Sequence, residues 1–246
     1  MKITKTKQSN AMSEELNYYF RAACSVSTVI FGFDDKKIKV LLVKRLQDPH
    51  RGKWSLPAEL VYPNDDIEKT VDNLVIEISG VNKFYKKQIR AFADITRHPL
   101  GRVISIGYYC FVNIKDYKQN NESEVGKTAQ WFDFKNMPIL AFDHNEIVAA
   151  ANRRLLTKMS TQLAGFELLP EKFTLSELQN LYESVLGHEL DKRNFRRKVM
   201  SLGVIEDLDE PMPDWEGSGK APMLHKLLRE RYMDIKNKNP KDLEIF

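Results

Sequence analysis

Cysteine is scarce in this chain: Cys24 and Cys110 are the only two in 246 residues, and both lie in apolar stretches. A disulfide framework is therefore excluded, and both thiols are expected to pack as small hydrophobes in a reducing cytoplasm. No run approaches the ~20 apolar residues that a membrane span needs. The first dozen residues are polar and lysine-bearing, without the apolar centre of a signal peptide, and residues 1–15 are expected to be a disordered extension. The five histidines (His50, His98, His144, His188 and His225) show no ligand spacing, so no metal site is expected. No Ser-His-Asp or Cys-His arrangement, internal repeat or low-complexity tract is present. These absences leave an intracellular protein of one or two domains with ordinary cores.

The charge is small overall and uneven along the chain. Net charge is +4, but residues 165–246 hold 13 Lys and Arg against 16 Asp and Glu, about −3. The first 164 residues hold 25 against 18, about +7. A nucleic-acid interface in the C-terminal part must therefore come from local clustering, because its total charge is unfavourable.

Such a cluster exists. Thr174 with Glu177 three residues on is a capping-box start, and Leu175, Leu178, Tyr182 and Val185 follow at helical spacing up to Gly187. Asp191 is a good N-cap for a second helix. There Phe195, Val199 and Leu202 share one side, while Lys192, Arg193, Arg196 and Arg197 spread over the other at about 100° per residue. Five cations in residues 192–198, with no acid among them, repel one another unless an anion is near. A solvated surface face is the simpler interpretation of such a run. The preceding capped helix argues for more, because the second helix of a helix-turn-helix pair fits the major groove of DNA. Strands over 204–208 and 221–228, joined by Gly217-Ser218-Gly219-Lys220, complete a winged helix. Acids Asp207, Asp209, Glu210, Asp214 and Glu216 crowd this wing, and residues 225–234 could instead be helical. Lys192, Arg193, Asn194, Arg196, Arg197 and Lys220 are the candidate DNA-binding residues.

The N-terminal part reads as mixed strands and two helices. Strands are expected over 22–33, 38–44, 88–95, 102–114 and 130–132. One helix is expected from Asp66 to Ser79, with Ile67, Val71, Leu74, Val75 and Ile78 on one face and Gly80 at its end. Another should run to about Met159. The fold class expected is α+β: an α/β/α sandwich over 16–160, a linker over 161–170, and a winged helix-turn-helix domain over 171–246.

Residues 52–57 (Gly-Lys-Trp-Ser-Leu-Pro), with the helix ending Glu77-Ile78-Ser79-Gly80-Val81, resemble the box of Nudix hydrolases. That box reads G-x5-E-x7-R-E-U-x-E-E-x-G-U, with U aliphatic. Aligned on Gly80, its first glycine falls on Glu59, its first Glu on Asp65, its Arg-Glu pair on Asn73 and Leu74, and its Glu-Glu pair on Glu77 and Ile78. Two of the three helix carboxylates that would hold Mg²⁺ in a working box are thus aliphatic. Residues 97–105 (Arg-His-Pro-Leu-Gly-Arg-Val-Ile-Ser) resemble the R-D-P-R-G-R-V-V-S loop of Nudix-related transcriptional regulators. Residues 140–144, 166–170, 173–179 and 192–197 match that group too.

The resemblance covers about residues 20–230. It implies a Nudix-like sensor joined to a C-terminal winged helix, acting as a homodimer on a palindromic operator in double-stranded DNA. It implies an effector: ADP-ribose in regulators of NAD metabolism, a sugar in regulators of sugar use. His98 and Leu100 replace the family's Asp and Arg, so a sugar or singly phosphorylated ligand is favoured over ADP-ribose. Arg45, Glu77, Arg97 and Arg102 are the candidate effector-binding groups. No catalytic residue, cofactor or membrane partner is expected. The alternative is a hydrolase of nucleoside diphosphate derivatives using Glu77 with Asp65 or Asp66, and a third possibility is a ligand-free interaction module.

Overall fold

The structure, a computed structural model, describes residues 22–245 except Asp35, Asn121, Gln162 and Asp214. The expected N-terminal extension lies outside the described residues. A seven-stranded sheet is built from β1 (Ala23–Phe33), β2 (Ile38–Lys44), β3 (Trp54–Ser55), β4 (Ala58–Leu60), β5 (Tyr85–Phe92), β6 (Val103–Phe111) and β7 (Ala129–Asp133). Its main path is β3-β2-β1-β6-β5, with β4 paired to β1 and β7 to β2. Only β1 and β6 run parallel among these pairs.

Period-two alternation divides the apolar side chains of the central strands between two faces. Val26, Ile30, Leu41 and Val43 meet Val71, Leu74, Val75 and Ile78 of α1 (Ile67–Ser79). Val29, Phe31, Val40 and Leu42 meet Ile147, Val148, Ala151 and Leu155 of α3 (His144–Thr161), the long helix on the opposite face. A one-turn helix, α2 (Glu124–Lys127), lies between β6 and β7. Asp66 caps α1 by accepting from the Lys69 N–H. Gly80 ends it at φ 68°, and a Cβ there would lie 2.9 Å from the Lys118 carbonyl oxygen, so both backbone and space require glycine.

In this sheet β3 and β4 were not expected, and β5 and β6 have other bounds than expected. β5 covers 85–92 rather than 88–95, because Tyr85 already pairs with Phe111 and because Asp94 turns the chain by accepting from the Thr96 N–H and hydroxyl. β6 stops at Phe111 rather than running to 114, because Asn113 accepts from the Lys115 N–H and starts a 3-10 turn.

The C-terminal part holds β8 (Lys172–Thr174), α4 (Leu175–Leu186), α5 (Lys192–Ser201), β9 (Ile205–Pro211), β10 (Met223–Leu227) and α6 (Arg229–Lys238). The strands form a small sheet in the order β8-β10-β9. β8 is missing from the sequence reading, since three residues are too few for alternation to register. The two alternatives for 225–234 both hold in part: the strand ends at Leu227 and a helix begins at Arg229.

Residues 161–170 are packed rather than solvated. Leu163, Ala164, Phe166, Leu168 and Leu169 are buried in the same apolar cluster as α3, α4 and α5. The Tyr182 hydroxyl accepts from the Ala164 N–H at 2.7 Å, and the Tyr232 hydroxyl donates to the Leu163 carbonyl. Ile38 at the start of β2 donates its N–H to Ser184 of α4 at 2.7 Å. No helix among the described residues is long and apolar enough to cross a membrane. Tyr182 is fully buried and serves both the linker and the core between α4 and α5. Tyr182→Phe should lower unfolding stability by about 1–3 kcal/mol, because it strands a buried amide without a partner. Urea unfolding of the two proteins at equal slope checks the value.

Candidate functional site

Two regions carry the candidate residues. The first is the face of α5. Asp191 caps the helix by accepting from the Asn194 N–H, and Phe195 and Val199 are buried against α4, with the Phe195 ring 5.4 Å from that of Tyr182. The turn between α4 and α5 is pinned from one side: Glu183 accepts from the Leu190 N–H, and Gln179 donates to the Leu190 carbonyl. Packing the apolar stripe inward leaves Lys192, Arg193, Asn194, Arg197 and Lys198 exposed. Arg197 donates to the Asn194 side-chain oxygen.

Arg196 departs from the expected row. Its guanidinium is half buried and donates to Ser176 Oγ at 2.8 Å, with Nε unpartnered and buried, so it braces α5 against α4. Lys220 sits exposed in the turn between β9 and β10. Some acids of the small sheet are paired within it: Glu206 with Lys226 and Glu210 with Lys172, while Asp207 lies 3.9 Å from His225. Exposed pairs of this kind contribute little stability, but they lower the field that phosphate would meet.

The second region is a cavity of about 610 Å³ between β1, the β2–β3 loop, the β5–β6 loop and the head of α3. Arg45, Arg97 and Arg102 all line it. Their commitments differ. Arg97 is buried and forms a two-point pair with Asp143, Nε to Oδ2 at 2.9 Å and Nη2 to Oδ1 at 2.8 Å. Arg45 donates Nε to the Pro49 carbonyl and lies 4.7 Å over the Phe142 ring. Arg102 is exposed and donates to the Ala93 carbonyl.

Phe142 is a second centre of this wall. Its ring stacks on His98 at 5.1 Å and 12°, and meets His50 edge-on at 4.7 Å. Its φ of 55° is a left-handed conformation that costs a non-glycine residue on the order of 1–3 kcal/mol. Burial, with Arg97, Arg45 and His50 adding repulsion, pushes the His98 imidazole below its ordinary pKa.

Glu77 is not part of this cavity. It is exposed on α1, accepts from the Ser123 hydroxyl, and lines a separate groove with Asp65, Asp66 and Asn73. Glu59 borders both. Leu74 and Ile78, where a working box needs carboxylates, are buried against the sheet. No group of three metal-ligating side chains occurs among the described residues. With Leu74 and Ile78 in place of two carboxylates, Glu77 is the one retained of the three that hold magnesium on this helix in a working box.

Ser25, Ser27 and Glu59 of the cavity were not singled out from sequence, and His98 only as a departure from the related loop. The serines alternate with Val26 on β1 and so face the side of Val29 and Phe31; a polar pair on one face of an apolar strand is the available signal. Asp143 could not be matched to Arg97 across 46 residues.

His144 anchors the floor. It is 3% exposed, and its Nδ1 accepts from the Leu56 N–H at 3.0 Å, so the neutral ring carries its proton on Nε2. Burial pushes its pKa down to about 3, only partly offset by Asp143. Between pH 6.5 and 3 the unfolded chain therefore binds a proton that the folded one refuses. Stability is full above about pH 6.5 and should fall as pH drops toward 3, by no more than about 1.4 kcal/mol per unit from this group. Glutamine can retain an acceptor for Leu56, and His144→Gln should remove this part of the slope in urea titrations across that range.

Comparison with known proteins follows the same two regions. The NUDIX domain family matches residues 23–155, and the NrtR DNA-binding winged helix domain matches residues 165–227. The ADPR responsive transcriptional repressor NtrR of Acinetobacter baylyi is 30% identical over 224 residues, 89% of this chain and 86% of that protein. The crystal structure of Shewanella oneidensis NrtR complexed with a 27mer DNA superposes with a TM-score of 0.74 at 27% identity, covering 85% of this chain and 95% of that one. The ADP-ribose pyrophosphatase of Methanocaldococcus jannaschii is 30% identical over 129 residues, 52% of this chain and 75% of that enzyme.

Proposed function

The chain belongs to the Nudix-related transcriptional regulators that carry an NrtR-type winged helix, and from that premise we propose that it is a DNA-binding repressor whose Nudix domain senses ADP-ribose. The observation that carries the DNA part is the exposed row Lys192, Arg193, Asn194 and Arg197 on the second helix of the pair, with Phe195 and Val199 buried behind it. Arg and Asn pair with base edges, and any of the cations with phosphate. A single reading helix makes few contacts, so the protein acts as a two-fold dimer on a palindrome with half-sites one or two turns apart.

ADP-ribose takes the place of the sugar-type effector expected from Leu100. The repressor of A. baylyi, similar over most of both chains, is ADPR responsive. Three arginines around about 610 Å³ suit a ligand with a diphosphate, while a neutral sugar has no use for them. Leu100 is 77% exposed at the rim, so a cation at that position is not needed to build the cavity wall.

Selection of bound sequences from a random library tests the DNA reading. A palindromic site should be enriched, and Arg193→Ala and Arg197→Ala should each cost ~1–3 kcal/mol in binding to it. Lys192→Ala should reduce the salt slope by about one phosphate contact. Failure to enrich any palindrome, or full affinity in the Arg193, Arg197 double variant, returns α5 to a plain solvated face.

The likeness to a pyrophosphatase makes hydrolysis the second reading. The burial of Leu74 and Ile78 speaks against it, and the Nudix domain is proposed to bind without cleaving. Incubation with ADP-ribose and Mg²⁺ or Mn²⁺ should release no product. Turnover near 1 s⁻¹, common among enzymes, would overturn the proposal.

A further inference from the structure

Taking that cavity as the effector site, as proposed above, we propose that Asp143 occupies the place of an effector phosphate on Arg97, and that exchanging one for the other moves the head of α3. The two-point pair is nearly dry: the Arg97 side chain is 4% exposed and that of Asp143 13%. Guanidinium remains charged under all working conditions, so a buried one needs an anion against it. A phosphate offers two oxygens in the same fork geometry as the carboxylate. A neutral sugar offers none, and would leave Arg97 uncompensated if it pushed Asp143 aside. The pair is thus a filter: ligands that bring their own anion can replace Asp143, and others cannot.

The exchange has somewhere to go. The Asp143 carbonyl accepts the Glu146 and Ile147 N–H groups and so begins α3. The preceding residue, Phe142, is held at φ 55° with His98 stacked on its ring, and His98 is the immediate neighbour of Arg97. Moving Arg97 toward a phosphate shifts both supports of residues 142–143 together. α3 is 18 residues long, about 27 Å. It packs on α4, with Met159 and Leu181 both close against Gly165. The next residue of α4, Tyr182, touches Phe195 of the reading helix. A displacement at the head of α3 therefore meets the winged helix directly, through one rigid element.

Calorimetric titration of the full-length wild type and Asp143→Asn with ADP-ribose, ADP, inorganic pyrophosphate and ribose tests the filter. With the competing carboxylate gone, pyrophosphate and ADP should bind at least ten-fold tighter, and ribose no tighter. Affinity for the selected operator tests the coupling. Asp143→Asn should shift it in the direction that saturating ADP-ribose shifts the wild type, and added ADP-ribose should then change it less than three-fold. No gain for the phosphorylated ligands, an equal gain for ribose, or a full wild-type response overturns the proposal. Should Asp143→Asn fail to fold, the Arg97→Gln, Asp143→Asn double variant has no buried charge and replaces it. That variant should lose the wild type's preference for pyrophosphate over ribose, and keeping the preference would be equally fatal. If the wild type ignores ADP-ribose while Asp143→Asn still gains ten-fold for pyrophosphate, the effector is misidentified but the exchange stands.

Discussion

One helix has to satisfy two partners, and the rest of the architecture follows from that. α3 buries Ile147, Val148, Ala151 and Leu155 on the sheet and Met159 toward the winged helix. Its apolar side therefore cannot be covered by either part alone. The linker is drawn into the same cluster, and its polar backbone is satisfied by Tyr182 and Tyr232 hydroxyls rather than by water. Two parts that differ in fold and in sign of charge are thus tied through apolar contact and a few buried hydrogen bonds. Neither is affected much by salt, which matters for a protein whose outer face must answer to an ionic partner.

The same separation governs the electrostatics. The C-terminal part is net acidic, yet α5 exposes Lys192, Arg193, Arg197 and Lys198 with no acid among them. The sheet beside it resolves the conflict by pairing: Lys172 and Lys226 are used on Glu210 and Glu206, which quiets the wing and leaves α5 as the positive feature. Arg196, counted with that row from sequence, is withdrawn to Ser176 because a residue one position from Phe195 faces the α4 side of the helix as much as the solvent. Helical spacing alone cannot distinguish such a border position from a fully exposed one.

What the sequence made legible follows its periodicity. α1 and α4 were readable because stripe, cap and terminal glycine agreed, as at Thr174, Glu177 and Gly187, and α5 because stripe and cap did. β1 and β2 were readable from dense β-branched runs. β8 was not, being too short for a pattern, and the ends of β5 and β6 were misplaced because side-chain turns at Asp94 and Asn113 decide them. Arg97 and Arg102 of the cavity were found through a loop resembling a known one. Glu77 was grouped with them on the strength of the degenerate box, but it stands on the exposed side of α1 with Ser123 as its partner. Asp143 lies in the 140–144 stretch that matches the related group, but nothing local links it to Arg97 in a loop 46 residues earlier.

The worn box has a physical logic of its own. Positions 71, 74, 75 and 78 share one face of α1, and the structure lays that face on Val26, Ile30 and Leu41. A carboxylate at position 78, where the side chain is fully buried, would need a cation or hydrogen-bond donors to offset its desolvation. Leucine and isoleucine there contribute instead, at about 1.5–3 kcal/mol for each fully buried side chain. Metal ligands and core packing compete for the same helix face, and here packing has won. The exchange is in keeping with the proposal that the domain binds its ligand without cleaving it. The packed face of α1 lies on the opposite side of the sheet from the cavity, so the two sides can be built independently.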